Sequence, residues 1–268
     1  LGKYKGNGKK VNMNISNNYP ELRRICLEIA DTIGFPKFTI ERKDIIEKSR
    51  IAFERSASVR ECLKVVLMEP DLAGHGAVHV RNVAIDAGAI VLLERSVLPF
   101  DYEQIERLSF LAHISGVLHD IKRSHPDHAQ LGATEAEKIL KKRKEDFSLE
   151  DVEIEMIVHA ISNHEAFQPA QHMEEPDAQL LSDALYDADK FRWGPENFTQ
   201  TLWNILESKG ITDLSDLFNN FENKLEGIKK IRETFRTRTG QSYGPDFIDR
   251  GLDIGRKLND LYNSTCNL

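Results

Sequence analysis

The chain has 268 residues, 40% of them hydrophobic and 29% charged, with a formal net charge of −7; this is an ordinary globular composition that can fill a core and that gives no general attraction to nucleic acid or to an anionic membrane. No apolar run approaches the about 20 residues that a membrane span needs, so no membrane partner is expected. Three cysteines, Cys26, Cys62 and Cys266, are odd in number and far apart, which argues against a disulfide framework or a thiolate zinc site and fits a reducing, cytoplasmic location.

In chain order, residues 1–19 read as a flexible, basic N-terminal arm. Residues 20–33, 41–54 and 56–68 read as three amphipathic helices, with Gly34-Phe35-Pro36 between the first two; together, residues 20–70 form an N-terminal helical extension. A central block covers 71–195. Its first helix, 76–95, carries Val83, Ala87 and Ile90 in one apolar row. The next, 102–119, follows Pro99 and opens with an Asp101-x-x-Gln104 capping-box variant. Others run from Asp127 to about Lys144, from Ser148 with Asp151 three residues on, and over 177–191, closed by Gly194-Pro195. Beyond it, 197–208, 213–237 and 246–262 read as helices and 238–245 as a polar, Gly-rich loop. Residues 196–268 are thus expected to be a C-terminal helical region packed on the core, shaping substrate access or a homodimer contact. Strand signals are weak throughout, so the expected fold is an all-α bundle with helical extensions at both ends.

All nine histidines lie between His75 and His172, and several face inward. His79 is four residues before Val83, on the same stripe. His119 lies seven residues after Ala112 and is followed by Asp120; Asp189 lies four after Leu185. Asp183 and Asp187 fit a solvated face instead. Burying a carboxylate without compensation costs several kcal/mol, so inward aspartates need partners. Two imidazoles and two carboxylates converging from separate helices point to a divalent cation. A set of nitrogen and oxygen ligands without thiolate suits Mn, Fe, Co, Ni, Zn or Mg.

The order His79, His119-Asp120, Asp189 resembles the HD-domain metal-dependent phosphohydrolases. The stretches Gly74-His75-Gly76-Ala77-Val78-His79-Val80-Arg81, Gly116-Val117-Leu118-His119-Asp120-Ile121-Lys122-Arg123 and Leu185-Tyr186-Asp187-Ala188-Asp189-Lys190-Phe191 carry the resemblance, over residues 71–195. It implies an all-α core, metal bound by His79, His119, Asp120 and Asp189, and hydrolysis of a phosphate ester. Further histidines in some members hold a second metal; His128 and His164 are the candidates here, with Asp120 as the bridge. The chain departs from the cyclic-dinucleotide branch, because Ala166-Phe167-Gln168-Pro169 stands where a Gly-Tyr-Pro signature is found.

On this reading the substrate is a nucleotide or another small phosphorylated metabolite, cleaved by attack of metal-bound water. Asp120, His75, Arg123 and Glu165 are the catalytic candidates, with His75 orienting substrate or acting as an acid. Lys122, Lys190 and Arg192 are candidates for holding substrate phosphate. Two alternatives stay open: a non-catalytic, metal-stabilised binding or regulatory module, and a di-iron oxygenase on the same fold.

Overall fold

The computed structural model describes residues 19–68, 76–95 and 101–266. Among the described residues there are thirteen α-helices and one π-helical turn, with no strand. None of these helices is long and apolar enough to cross a membrane. Most of the 1–19 arm lies outside the described residues, and so does His75 with the acid or orienting role expected of it.

Four helices form the N-terminal part: α1 (Tyr19–Ile33), α2 (Lys37–Glu41), α3 (Lys43–Arg55) and α4 (Ala57–Leu67). The single helix expected over 41–54 therefore has a short helix before it, starting just after Pro36. Ser56 caps α4 through its side chain, which accepts from the Val59 N–H. Cys26 and Cys62 are buried here, and burial pushes each thiol up to about 12.

The frame of the molecule is α5 (Ala77–Arg95), α6 (Tyr102–Leu118), α7 (His128–Lys142), α8 (Asp151–Ser162) and α9 (Pro176–Phe191). Helix α5 is the hub. It packs against α3, α6 and α9, and its residues are buried on nearly all sides. Gly116 makes the α5–α6 pairing close, since a methyl group there would collide with the backbone of Ala84. Asp101 caps α6 by accepting from the Glu103 N–H, not through Gln104. Helix α8 starts later than expected: the capping box is Glu150 with Glu153, and Ser148 sits before it at a positive φ of 49°.

The C-terminal region departs most from expectation. The stretch 197–208 begins with a π-helical turn, Asn197–Thr201, and continues as α10 (Leu202–Ser208); 213–237 divides into α11 (Ser215–Asn219) and α12 (Phe221–Ile231). The expected loop 238–245 is helical: α13 runs Arg238–Cys266 with Pro245 inside it. Its start is satisfied by two carboxylates distant in sequence. Asp187 accepts from the N–H groups of Arg236 and Thr237, both at 2.8 Å, and from the Thr237 hydroxyl at 2.7 Å. The same Thr237 oxygen accepts from the Gly240 N–H. Glu94 accepts from the Thr239 N–H and hydroxyl and from Arg238 Nε. These groups fill the unsatisfied donors of a helix N-terminus, and burial pushes the Asp187 carboxyl up to about 7. Asp187 is therefore wholly buried, which corrects its expected place on a solvated face. Gly240 is required beside it, because a Cβ there would strike the Asp187 carboxylate.

Candidate metal centre

Three segments deliver the inward residues. His79 stands in the first turn of α5; His119 and Asp120 follow the last residue of α6; Asp189 lies near the end of α9. All four are buried. His79 Nε2 lies 3.7 Å from Asp120 Oδ2 and 3.5 Å from Asp189 Oδ1. His119 Nε2 lies 3.4 Å and 3.7 Å from the same two oxygens. Each of the two Nε2 atoms thus lies 3.4–3.7 Å from both oxygens. Two groups of three donors, His79, His119 and Asp189 on one side and His119, Asp120 and His164 on the other, each lie within 4.8 Å of one another. A divalent ion with bonds of about 2.0–2.2 Å brings neighbouring donors to roughly 3–3.5 Å, so these groups could hold one.

Hydrogen-bond logic gives the same answer. His119 Nδ1 lies 2.8 Å from the Gly116 carbonyl. A carbonyl only accepts, so Nδ1 donates to it, and Nε2 is the ring nitrogen that points at the carboxylates. His164 repeats the pattern, with Nδ1 2.6 Å from the Ile161 carbonyl and Nε2 3.3 Å from Asp120 Oδ1. The facing carboxylates require positive charge at these nitrogens, which a proton on Nε2 or a cation bound to it supplies. His119 Nε2, Asp120 Oδ1 and His164 Nε2 are all buried without a hydrogen-bond partner, as atoms aimed at an ion would be.

Electrostatics at the centre favour positive charge. Burial opposes charging His79, yet Asp189 and Glu196 raise its imidazole to about 9. Burial likewise opposes ionising Asp120 and Asp189, and both are nevertheless held well below the usual carboxylate range. His119 is the main counterweight for Asp120; Lys190 and His79 are those for Asp189. Lys190 Nζ is 2.5 Å from Asp189 Oδ2.

Asp120 presents its two oxygens to different partners. Oδ2 faces His79 and His119. Oδ1 faces His164, His128 Nε2 at 3.8 Å and Arg123 Nη1 at 3.6 Å. The expected second-ion residues are therefore gathered on the far side of the expected bridge. Burial and the Arg123 charge hold the His128 imidazole below its usual range. His159, which sequence reasoning set aside, makes its contact with Asn163.

The centre opens into a cavity of about 310 Å³ lined by Asp120, Arg123, His128, His164, Glu165 and Lys190 on its polar side, and by Phe167, Trp193 and Ile205 among its apolar residues. Asn197, Thr201 and Ile205 come from beyond residue 195, so the C-terminal region builds part of the cavity wall. Two of the three expected phosphate-binding residues are placed differently. Lys122 is not among the lining residues. Arg192 reaches the cavity wall, but its guanidinium is held between Asp86 and Glu196, with Nη1 2.8 Å from Glu196 Oε2.

Glu196 is the residue that sequence reasoning missed. Its Oε1 lies 3.5 Å from His79 Nδ1, and its Oε2 accepts from Asn82 Nδ2 at 2.9 Å. Burial opposes its charge, but Arg192 and His79 more than reverse this and bring its carboxyl down to about 2. A carboxylate behind a ligating histidine fixes the ring's tautomer and orientation. The available hint was its place four residues after Arg192; nothing local links it to His79. Compared with known protein families, with curated proteins and with solved structures, the chain gives no match.

Proposed function

We propose that this chain is a metal-dependent phosphohydrolase of the HD-domain type, acting on a small phosphate ester. The observation that carries the reading is the cluster of buried His and Asp donors that could hold a metal ion, three of which, His79, Asp120 and Asp189, line an open cavity. A structural metal site is closed by its protein ligands, whereas a catalytic one keeps access for water and substrate. A divalent ion bound there supplies Lewis acidity and lowers the pKa of water at neutral pH.

The chain's own residues carry the rest. Arg123 and Lys190, the latter already paired with Asp189 Oδ2, bring basic side chains to the cavity, suited to an anionic phosphate. Among the described lining residues, Glu165 is the carboxyl group outside the ligand set and its near neighbours; it is the candidate to give a proton to the leaving oxygen. Trp193, Phe167 and Ile205 offer apolar surface to the organic part of the ester and keep bulk water from it. The test is turnover. Chain loaded with Mn²⁺ or Co²⁺ should release phosphate, or cleave a diester, from a panel of nucleotides and sugar phosphates. EDTA should abolish this and re-addition of metal should restore it. Asp120→Ala should be inactive on the same panel. A loaded chain that turns over nothing on a broad panel contradicts the proposal.

A further inference from the structure

The run after Asp120 is a series of tight turns: Arg123 N–H bonds to the Asp120 carbonyl, and His125 N–H to that of Lys122. The chain then re-enters helix at His128, the first residue of α7. Arg123 and His128 are thereby folded back toward one another on the Oδ1 side of Asp120. Arg123 Nη1 lies 2.6 Å from His128 Nε2 and 3.6 Å from Asp120 Oδ1. The guanidinium thus sits where His128, Asp120 and His164 converge.

We infer that Arg123 is the built-in cation of the second position, and that a second divalent ion binds only by displacing it. The inference rests on the metal-centre reading but not on hydrolysis. Each imidazole nitrogen has one lone pair, and that of His128 Nε2 is taken by a guanidinium N–H. A guanidinium keeps its proton at any pH the fold survives, so the contact cannot be relieved by titration. An ion held by Asp120 Oδ1, His128 and His164 would lie within a few ångströms of the arginine's charge, where like charges repel strongly. By contrast, the cation beside the first position, Lys190 Nζ, lies on the other oxygen of Asp189, Oδ2, at 2.5 Å. The chain therefore holds one ion tightly, and Asp120 bridges that ion to an arginine rather than to a second metal. Once displaced, the guanidinium is left in the cavity, within reach of an anionic ligand.

The experiment counts ions. Full-length chain and its Arg123→Gln and Arg123→Lys variants are saturated with Co²⁺, desalted, and assayed for cobalt per chain; the second binding event is followed by titration. Wild type and Arg123→Lys should retain one ion, and Arg123→Gln two, with its second-site affinity raised on the order of tenfold or more. In paramagnetic NMR, shifted imidazole N–H signals should come from His79 and His119 in wild type, and also from His128 and His164 in Arg123→Gln. Two ions retained by wild type would overturn the inference, even if Arg123→Gln failed to fold. One ion in a folded Arg123→Gln would overturn it as well. No ion in any of the three proteins would overturn the metal centre itself, a separate result from the other two.

Discussion

Glu196→Gln isolates the contribution of a single carboxylate behind the metal centre. In the wild type, Glu196 is anionic and faces His79 Nδ1 at 3.5 Å, while Arg192 and Asn82 donate to its other oxygen. Glutamine preserves the volume. Its one carbonyl oxygen is claimed by Arg192 and Asn82, so its NH₂ turns toward His79. Two donors then oppose each other, and the ring relieves this by moving its proton to Nε2, the nitrogen that must stay bare to bind metal. Loss of such an outer carboxylate typically weakens metal binding by about 10- to 100-fold, or roughly 1.4–2.8 kcal/mol. Competition titration of Mn²⁺ against a fluorescent chelator reads this directly. The gap between unfolding midpoints with metal and with EDTA should shrink in parallel. An affinity within twofold of wild type, alongside complete loss in His79→Ala, would refute the tautomer argument.

Other perturbations reach the fold and the site by separate routes. Asp187→Ala removes the acceptor of two backbone N–H groups and a hydroxyl; urea unfolding should show a loss of about 3–5 kcal/mol from the stranded donors. Gly116→Ala forces a methyl group into the Ala84 backbone, prising α5 from α6; a loss of about 1–3 kcal/mol should come with reduced metal retention by elemental analysis. His113 is buried and is not among the residues lining the cavity. The Ser49 hydroxyl donates to the Ile85 carbonyl, so His113 Nε2 at 2.8 Å must donate to Ser49. Burial pushes this imidazole down to about 3, below its unfolded value near 6.5. Its contribution is thus fully present above pH 6.5 and is lost as the pH falls toward 3. Between pH 7 and 5 the unfolding free energy should drop by about 2 kcal/mol on this account, and in His113→Gln that part of the slope should vanish.

The parts of the molecule legible in the sequence were those governed by local periodicity. His79, His119 and Asp189 each extend an apolar stripe, and those stripes are the faces of α5, α6 and α9 that meet. Periodicity misplaced Asp187 because α9 is buried on more than one face; a helix enclosed by α5, α8 and α13 has no solvated side to which an off-stripe acid can be assigned. The 238–245 stretch carries loop residues, Gly240, Gly244 and Pro245, but Asp187 and Glu94 satisfy the helix start from about 50 and 145 residues away. Local propensity is a weak prior against such tertiary support. Glu196 and Arg192 were obscured for the same reason: their partners, His79, Asn82 and Asp86, are more than 100 residues distant, a separation at which a single sequence carries no pairing signal.

The claim underlying all of this is that four side chains share one cation. Anomalous X-ray scattering from crystals grown with Mn²⁺ or Co²⁺ reads it most directly. A strong peak is expected about 2.0–2.3 Å from the Nε2 atoms of His79 and His119 and from one oxygen each of Asp120 and Asp189. A fully metal-equilibrated crystal with no peak there, or with its only strong peak elsewhere on the chain, would contradict it.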